Sequence, residues 1–389
     1  MIPRDAHAHL RRLLRGFPVV TLTGPRQSGK TTLARAVLPQ RPYFSLEDPD
    51  VRALALDDPR AFLARLPDGG VLDEIQRAPL LLSYLQSRVD ADRRMGLFLL
   101  TGSQQFGLVA GITQSLVGRT AFLELLPLSL NELHNAGIVP PGIDDALLAG
   151  GYPALFDRAL LPRHWFPAYV TAYVERDVRQ LVQVHDLDTF QRFVRLCAGR
   201  SGQVLNFSSL ATDCGISHNT ARAWIAVLEA SYVLFQLRPH HEHFNKRLIK
   251  APKIYFLDTG LLCWLLGIRE VQQLVTHPLR GAIFETFVVA ELVKTLVHRG
   301  ERPALWYWRD SNGNEVDVIA EVGTRLLPIE IKSGQTIQRE FFTGLDRWRA
   351  LAGERVVAPA LVYGGTQAFE RQGVRVLGWN ACAQLLARS

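Results

Sequence analysis

The sequence predicts an α/β chain that opens with a mainly parallel sheet, and three observations carry that expectation. Short apolar runs at Phe17–Thr23, Gly70–Leu72, Leu97–Leu100 and Ala121–Leu125 are separated by stretches of helical periodicity. A glycine-rich turn joins the first run to an amphipathic stretch. Beyond about residue 129 the strand signal fades into a helical pattern, and strands return only later. Strands that alternate with helices pair in parallel, because each crossover brings the chain back in the same direction.

At 389 residues the chain is too long for one ordinary core, and a prior of about 150 residues per domain suggests two or three. Composition shifts and Pro/Gly punctuation divide it into a core over 1–128, a helical lid over 129–200, a helix-turn-helix with two strand-like runs over 201–278, and a helix followed by several strands over 279–389. Hydrophobic residues at 48% and charged residues at 21% are the balance of a globular protein and exclude a disordered or fibrous one. The formal charge of +7 favours an anionic partner such as nucleic acid. Cys197, Cys214, Cys263 and Cys382 lie far apart with no C-x-x-C pair, which excludes a zinc knuckle and fits reduced thiols in a cytoplasm. The first residues lack an apolar export segment, and no long uncharged apolar run occurs, so no membrane partner is expected.

Gly24-Pro25-Arg26-Gln27-Ser28-Gly29-Lys30-Thr31 matches the phosphate-binding pattern G-x-x-x-x-G-K-[ST], with Thr32 following, and it sits between a strand and a helix as that motif requires. Backbone N–H groups of such a loop and the positive end of the helix attract phosphates. Lys30 adds charge, and Thr31 is placed to ligate Mg²⁺. About forty residues on, an apolar run ends in Asp73-Glu74. Asp73 is expected to hold the Mg²⁺ shell and Glu74 to polarise an attacking water. Thr101-Gly102-Ser103 ends the next run and offers a hydroxyl to a terminal phosphate, with Ser103 preferred. Arg119 precedes the following strand, and its planar fork suits a phosphate of its own or a neighbouring subunit.

Two further constellations stand out. Residues 208–217 read as a first helix and a turn. A second helix capped by Ser217 then buries Ala221, Trp224, Ile225 and Leu228 and leaves His218, Asn219 and Arg222 outward, as a groove-reading helix would. The loop between the next two strand-like runs carries Arg238, His240, His241, His243, Lys246, Arg247, Lys250 and Lys253, a basic wing suited to phosphates. Its histidines could be metal ligands, although a solvated loop is the commoner reading. Nearer the end, strand alternation puts Glu330 and Lys332 on one face, and a hairpin would bring Asp317 to Glu330. Two such acids bind a hard divalent cation, and the lysine orients water. A hairpin with solvated acids is the bland alternative.

The segments GPRQSGKTT, VLDEIQRAP, LLTGSQQF, SLVGRT, LPLSLNEL, GGYPAL, YVERDV, KIYFLDTGLL, NEVDVIA and IEIKSG together resemble the bacterial and archaeal AAA-type ATPases that carry a C-terminal domain of unknown function. The resemblance spans nearly the whole chain. It implies an AAA-type P-loop sheet with a helical lid, followed by a winged-helix domain and a domain similar to PD-(D/E)xK nucleases of the Holliday-junction-resolvase-like branch. Within that likeness Gly151-Tyr152-Pro153 would line the adenine pocket and Arg176 would be a second sensor. Glu285 would join Asp317, Glu330 and Lys332 as the helical acid, although no proline precedes Asp317. The implied ligands are ATP and Mg²⁺, and the implied partners are DNA, branched DNA included, and further copies of the chain. The rival readings are a metal-dependent endonuclease that uses ATP as a switch, and a nucleotide-gated regulator or toxin-antitoxin-like module.

Overall fold

The computed structural model describes residues 2–103, 116–174, 187–240 and 249–386. It divides into two compact units, Met1–Leu128 with Val297–Glu301, and Ser129–Leu296 with Arg302–Ser389.

The first unit is built on a five-stranded sheet in the order β2-β3-β4-β1-β5, with β1 Val19–Thr23, β2 Tyr43–Ser45, β3 Gly70–Asp73, β4 Phe98–Gly102 and β5 Thr120–Glu124. All its pairs are parallel. The three central strands are buried at every residue, which is why they read as continuous apolar runs. Successive side chains go to opposite faces. Val20, Leu22, Val71, Leu99 and Leu123 pack with Leu10, Leu14 and Leu33 of the helices Ala6–Gly16 and Lys30–Val37. Val19, Leu72, Phe98 and Leu100 pack with Phe62, Leu82 and Leu85 of Pro59–Ala64 and Leu81–Ala91. The edge strand β2 has three half-buried residues and left no apolar run in the sequence.

Parallel pairing brings the strand ends to one edge. Thr23 at the end of β1 is opposite both Gly102 of β4 and Glu124 of β5, while Asp73 ends β3 opposite Ser45. Because β4 lies between β1 and β3, its last residues stand between the glycine-rich turn and Asp73-Glu74.

The second unit begins with short helices, among them Ile143–Ala149, Pro153–Asp157 and Pro162–Tyr169. Tyr152 packs against Trp165, Phe166 and Tyr169, and the Tyr152 and Tyr169 hydroxyls meet at 2.7 Å. The buried carboxylate of Asp258 organises this region. It caps the helix Thr259–Leu265 through Leu261 N–H at 2.9 Å and accepts Gly151 N–H at 2.7 Å. Burial pushes its pKa up, and the Lys294 charge and the backbone N–H donors pull against that.

The helices Phe207–Cys214 and His218–Ala230 follow, joined through left-handed Gly215 and capped by Asn206 and Ser217. An antiparallel pair, β6 Leu234–Leu237 and β7 Lys253–Phe256, comes next. The 19-residue helix Arg280–His298 then leads to a six-stranded sheet in the order β12-β13-β11-β10-β9-β8. In it β8 Leu305–Arg309, β9 Glu315–Val322 and β10 Arg325–Lys332 form an antiparallel meander. The helix Thr343–Ala352 connects β10 to parallel β11 Ala360–Tyr363, and β12 Phe369–Arg371 and β13 Val374–Gly378 complete the sheet.

Two residues expected in a solvated basic loop are buried. Lys253 is 3% exposed, and its ammonium lies 5.6 Å from the centre of the Tyr307 ring. His240 packs between Trp306 and Trp348. Local charge pattern suggested a wing, but partners distant in sequence supply the burial of both. His241, His243, Lys246, Arg247 and Arg176 lie outside the described residues.

Replacing Asp258 by Ala removes a helix cap, worth about 1 kcal/mol, and a carboxylate–amide bond worth about 1.5–3 kcal/mol. Thermal melting should show the second unit losing roughly that sum, and Asp258→Asn less. An unchanged melt would remove Asp258 from its organising place.

Candidate functional site

The loop after β1 is shaped by backbone conformations that few residues tolerate. Gly24 has φ 144°, and a Cβ there would lie 2.1 Å from the Leu125 carbonyl oxygen on the neighbouring segment. Gln27 is left-handed with φ 60°. Gly29, also left-handed, precedes the helix Lys30–Val37 and gives it no side-chain cap, so the first helical N–H groups face the loop without a local acceptor from that residue. Arg4 fixes the loop from outside, donating to the carbonyls of Ser28 at 2.5 Å and Leu126 at 2.6 Å. His298 supports the same corner by accepting Leu126 N–H at 3.2 Å.

Lys30 is buried and donates to the carbonyls of Gly24 at 3.0 Å and Pro25 at 2.8 Å. The Ser28 hydroxyl is buried with no hydrogen-bond partner among the described residues. Arg26 reaches Glu47 at 3.6 Å, and Thr32 is exposed.

At the end of β3 the Asp73 carboxylate accepts three hydroxyls. Thr31 approaches at 3.0 and 3.2 Å, Tyr43 at 2.6 Å, and Thr101 makes the third bond. Burial first, then the hydrogen bond and the charge of Asp73, push the Tyr43 phenol upward, so it stays a donor. Glu74 adopts a left-handed conformation, φ 57° and ψ 48°, which for a non-glycine residue stores on the order of 1 kcal/mol or more. Its N–H donates to Thr101 Oγ1 at 3.3 Å. Its carboxylate accepts the Ser103 hydroxyl at 3.1 Å and the Gln76 amide. The strained turn thus aims one carboxylate at the loop hydroxyl and sets the next beside it.

These residues fit a magnesium nucleotide. A lysine, an unpartnered buried hydroxyl and a threonine–aspartate pair meet at a helix N-terminus, where anions are favoured. Thr101 and Ser103 are both engaged, one with each carboxylate. The sequence reading passed over Tyr43, Gln76 and Arg4. Tyr43 sits on a strand with no apolar signature, and Arg4 is far from the motif.

Arg119 is placed elsewhere. It precedes β5, and its carbonyl accepts Val19 N–H at the start of β1. The loop follows the other end of β1, four residue steps away, on the order of 13 Å. Its guanidinium grips Asp90 at 2.5 and 2.9 Å. A phosphate contact by Arg119 within its own subunit is therefore excluded by strand direction. Pro153 opens the helix Pro153–Asp157 in the second unit.

Also in the second unit, His218, Asn219, Arg222 and Lys250 are exposed. Arg222 lies over the Phe207 ring at 5.7 Å.

The acid cluster forms where β9 and β10 pair. Glu330 follows the Ile329–Val318 pair, which brings it beside Asp317. Lys332 Nζ reaches Glu330 at 2.5 Å and Asp317 at 3.8 Å, and Asp317 accepts Ile331 N–H at 2.8 Å. Glu285 instead accepts Lys253 Nζ at 3.0 Å and the Tyr255 hydroxyl at 2.6 Å. Burial and the Asp317 charge push Glu330 up to about 8. Among the described residues no group of three acids, histidines or cysteines is disposed to hold a metal ion. The metal set expected of Glu285, Asp317 and Glu330 does not fit, because ammonium groups hold these carboxylates. Lys253 gave no signal of this, since its partners lie more than thirty residues away.

Residues 16–134 match the AAA domain family, and residues 141–272 and 280–382 match two domains of unknown function, DUF8612 and DUF4143. Among solved structures, the Walker-type ATPase of Pyrococcus abyssi is 16% identical with a TM-score of 0.45, covering 68% of this chain and 96% of that one. AMPPCP-bound DnaA of Aquifex aeolicus is 15% identical with a TM-score of 0.30, covering 58% and 85%. Two uncharacterized proteins, Rv2008c of Mycobacterium tuberculosis and Mb2031c of Mycobacterium bovis, are each 35% identical over 376 residues, 94% of this chain and 81% of theirs. Sharing that identity along nearly its whole length, the chain belongs to the family of these two mycobacterial proteins, and it carries an AAA domain ahead of two domains of unknown function.

Proposed function

We propose that the protein binds and hydrolyses ATP at the loop of residues 24–31 and that it engages DNA through the helix His218–Ala230. The observation that carries the first part is the pairing of Thr31 with Asp73 at 3.0 Å beside a preset Glu74. Lys30 exchanges its loop carbonyls for phosphate oxygens, and the loop N–H groups take the remaining charge. Thr31 and Asp73 would hold Mg²⁺, which when bound draws charge from the phosphate oxygens. Glu74 orients a water and accepts its proton, and Ser103 and Gln76 hold that carboxylate in place.

The DNA part is supported by the exposed His218, Asn219 and Arg222 near the N-terminus of the second of two capped helices, and by the net charge of +7. The acid-cluster geometry disfavours cleavage of that DNA.

Glu74→Gln should lower steady-state ATP turnover about 100- to 10,000-fold while nucleotide binding persists. Turnover unaffected by the change would reject Glu74 as the base. Tyr43→Phe takes one hydroxyl from Asp73, and the Mg²⁺ concentration for half-maximal turnover should rise about tenfold. An unchanged magnesium requirement would make Tyr43 a bystander. For the DNA part, fluorescence anisotropy with duplex and branched oligonucleotides should show salt-dependent binding that Arg222→Ala weakens by about 1–3 kcal/mol. Binding to neither DNA by the intact chain would end that reading.

A further inference from the structure

Lys253 is a buried ammonium in a place where the sequence suggested a metal. It stands first in β7, is 3% exposed, and reaches Glu285 at 3.0 Å and Glu315 on β9. Burying an ammonium costs several kcal/mol unless carboxylates compensate it. The cluster is therefore matched to the lysine as much as the lysine to the cluster. Tyr255, two residues on and fully buried, donates to the same Glu285 oxygen.

On the other side Lys332 holds Glu330 and reaches Asp317. Arg309 lies 3.4 Å from Glu315. Three cations thus face the four carboxylates Glu285, Glu315, Asp317 and Glu330, leaving little unbalanced charge to draw a divalent ion out of water. Such an ion would also meet two ammonium groups at close range.

The lysine is fixed by backbone on both sides. Val204 bridges Lys253. Tyr307 of β8, whose ring faces the Lys253 ammonium, donates its hydroxyl to the Ala251 carbonyl and exchanges backbone bonds with Arg238 at 3.0 Å and His240 at 2.7 Å. A group tied into two strand systems does not swing away as a lid would.

We propose that the Lys253 ammonium is the resident cation of this acid cluster. It serves in place of a divalent ion and joins β7 to the C-terminal sheet, so that this acid cluster is a structural joint rather than a phosphodiesterase centre. The inference is independent of the ATP reading.

The test is Mn²⁺ binding to the full chain without nucleotide, followed by the electron paramagnetic resonance of free Mn²⁺. Asp73→Asn supplies the background that removes the loop's own metal pair. No site tighter than about 1 mM is expected in that chain. A stoichiometric site that Asp317→Asn then abolishes would overturn the proposal. In parallel, Lys253→Met should lower the melting temperature, and adding Glu285→Gln should recover about half or more of the loss, because the second change removes the carboxylate left unpaired. Additive losses would instead mean that Lys253 only fills space. If Lys253→Met does not fold, the manganese titration of the Asp73→Asn chain still decides.

Discussion

The Asp73 carboxylate receives hydroxyls from the loop helix, from the edge strand β2 and from β4, and the geometry of the first unit turns on that convergence. Each donor comes from a different element, so the carboxylate registers the loop against the sheet. Strand order makes this feasible. With β4 between β1 and β3, Thr101 near the end of β4 and Ser103 just past it serve Asp73 and Glu74 respectively. The left-handed turn at Glu74 is tolerated because Thr101 of β4 holds its N–H and Ser103, just past that strand, holds its carboxylate.

What the sequence disclosed and what it withheld divide along physical lines. The central strands were legible because burial on both faces demands apolar residues throughout, whereas β2 escaped notice because an edge strand of half-buried residues makes no such demand. The loop was legible because its glycines meet backbone constraints that no other residue satisfies. Tyr43, Gln76 and Arg4 were not, since each reaches a residue more than twenty positions away in sequence, Asp73, Ser103, and Ser28 with Leu126 respectively, and leaves no local pattern. Arg119 reads as a ligand to a phosphate of its own subunit only while strand direction is ignored. Parallel pairing of β5 with β1 sets it at the far edge.

The second unit uses carboxylates differently. At Asp73 and Glu74 the acids are held by neutral hydroxyls and an amide, which leaves their charge available to a cation. At Glu285, Glu315 and Glu330 they are held by lysines, which consumes it. One chain therefore carries two acid clusters of similar composition with opposite electrostatic settings, and only contacts between distant residues distinguish them. Asp258 is a third case, an acid buried by backbone donors that fastens a glycine turn to a helix end.

The assignment of Thr31 and Asp73 as the magnesium seat of an ATP-hydrolysing site is tested by ATP turnover of Asp73→Asn across a range of Mg²⁺ concentrations. Turnover should collapse at every Mg²⁺ level while nucleotide binding without metal persists. Turnover equal to that of the unaltered chain would show that Asp73 does not hold the metal, and the reading of the first unit would have to be abandoned.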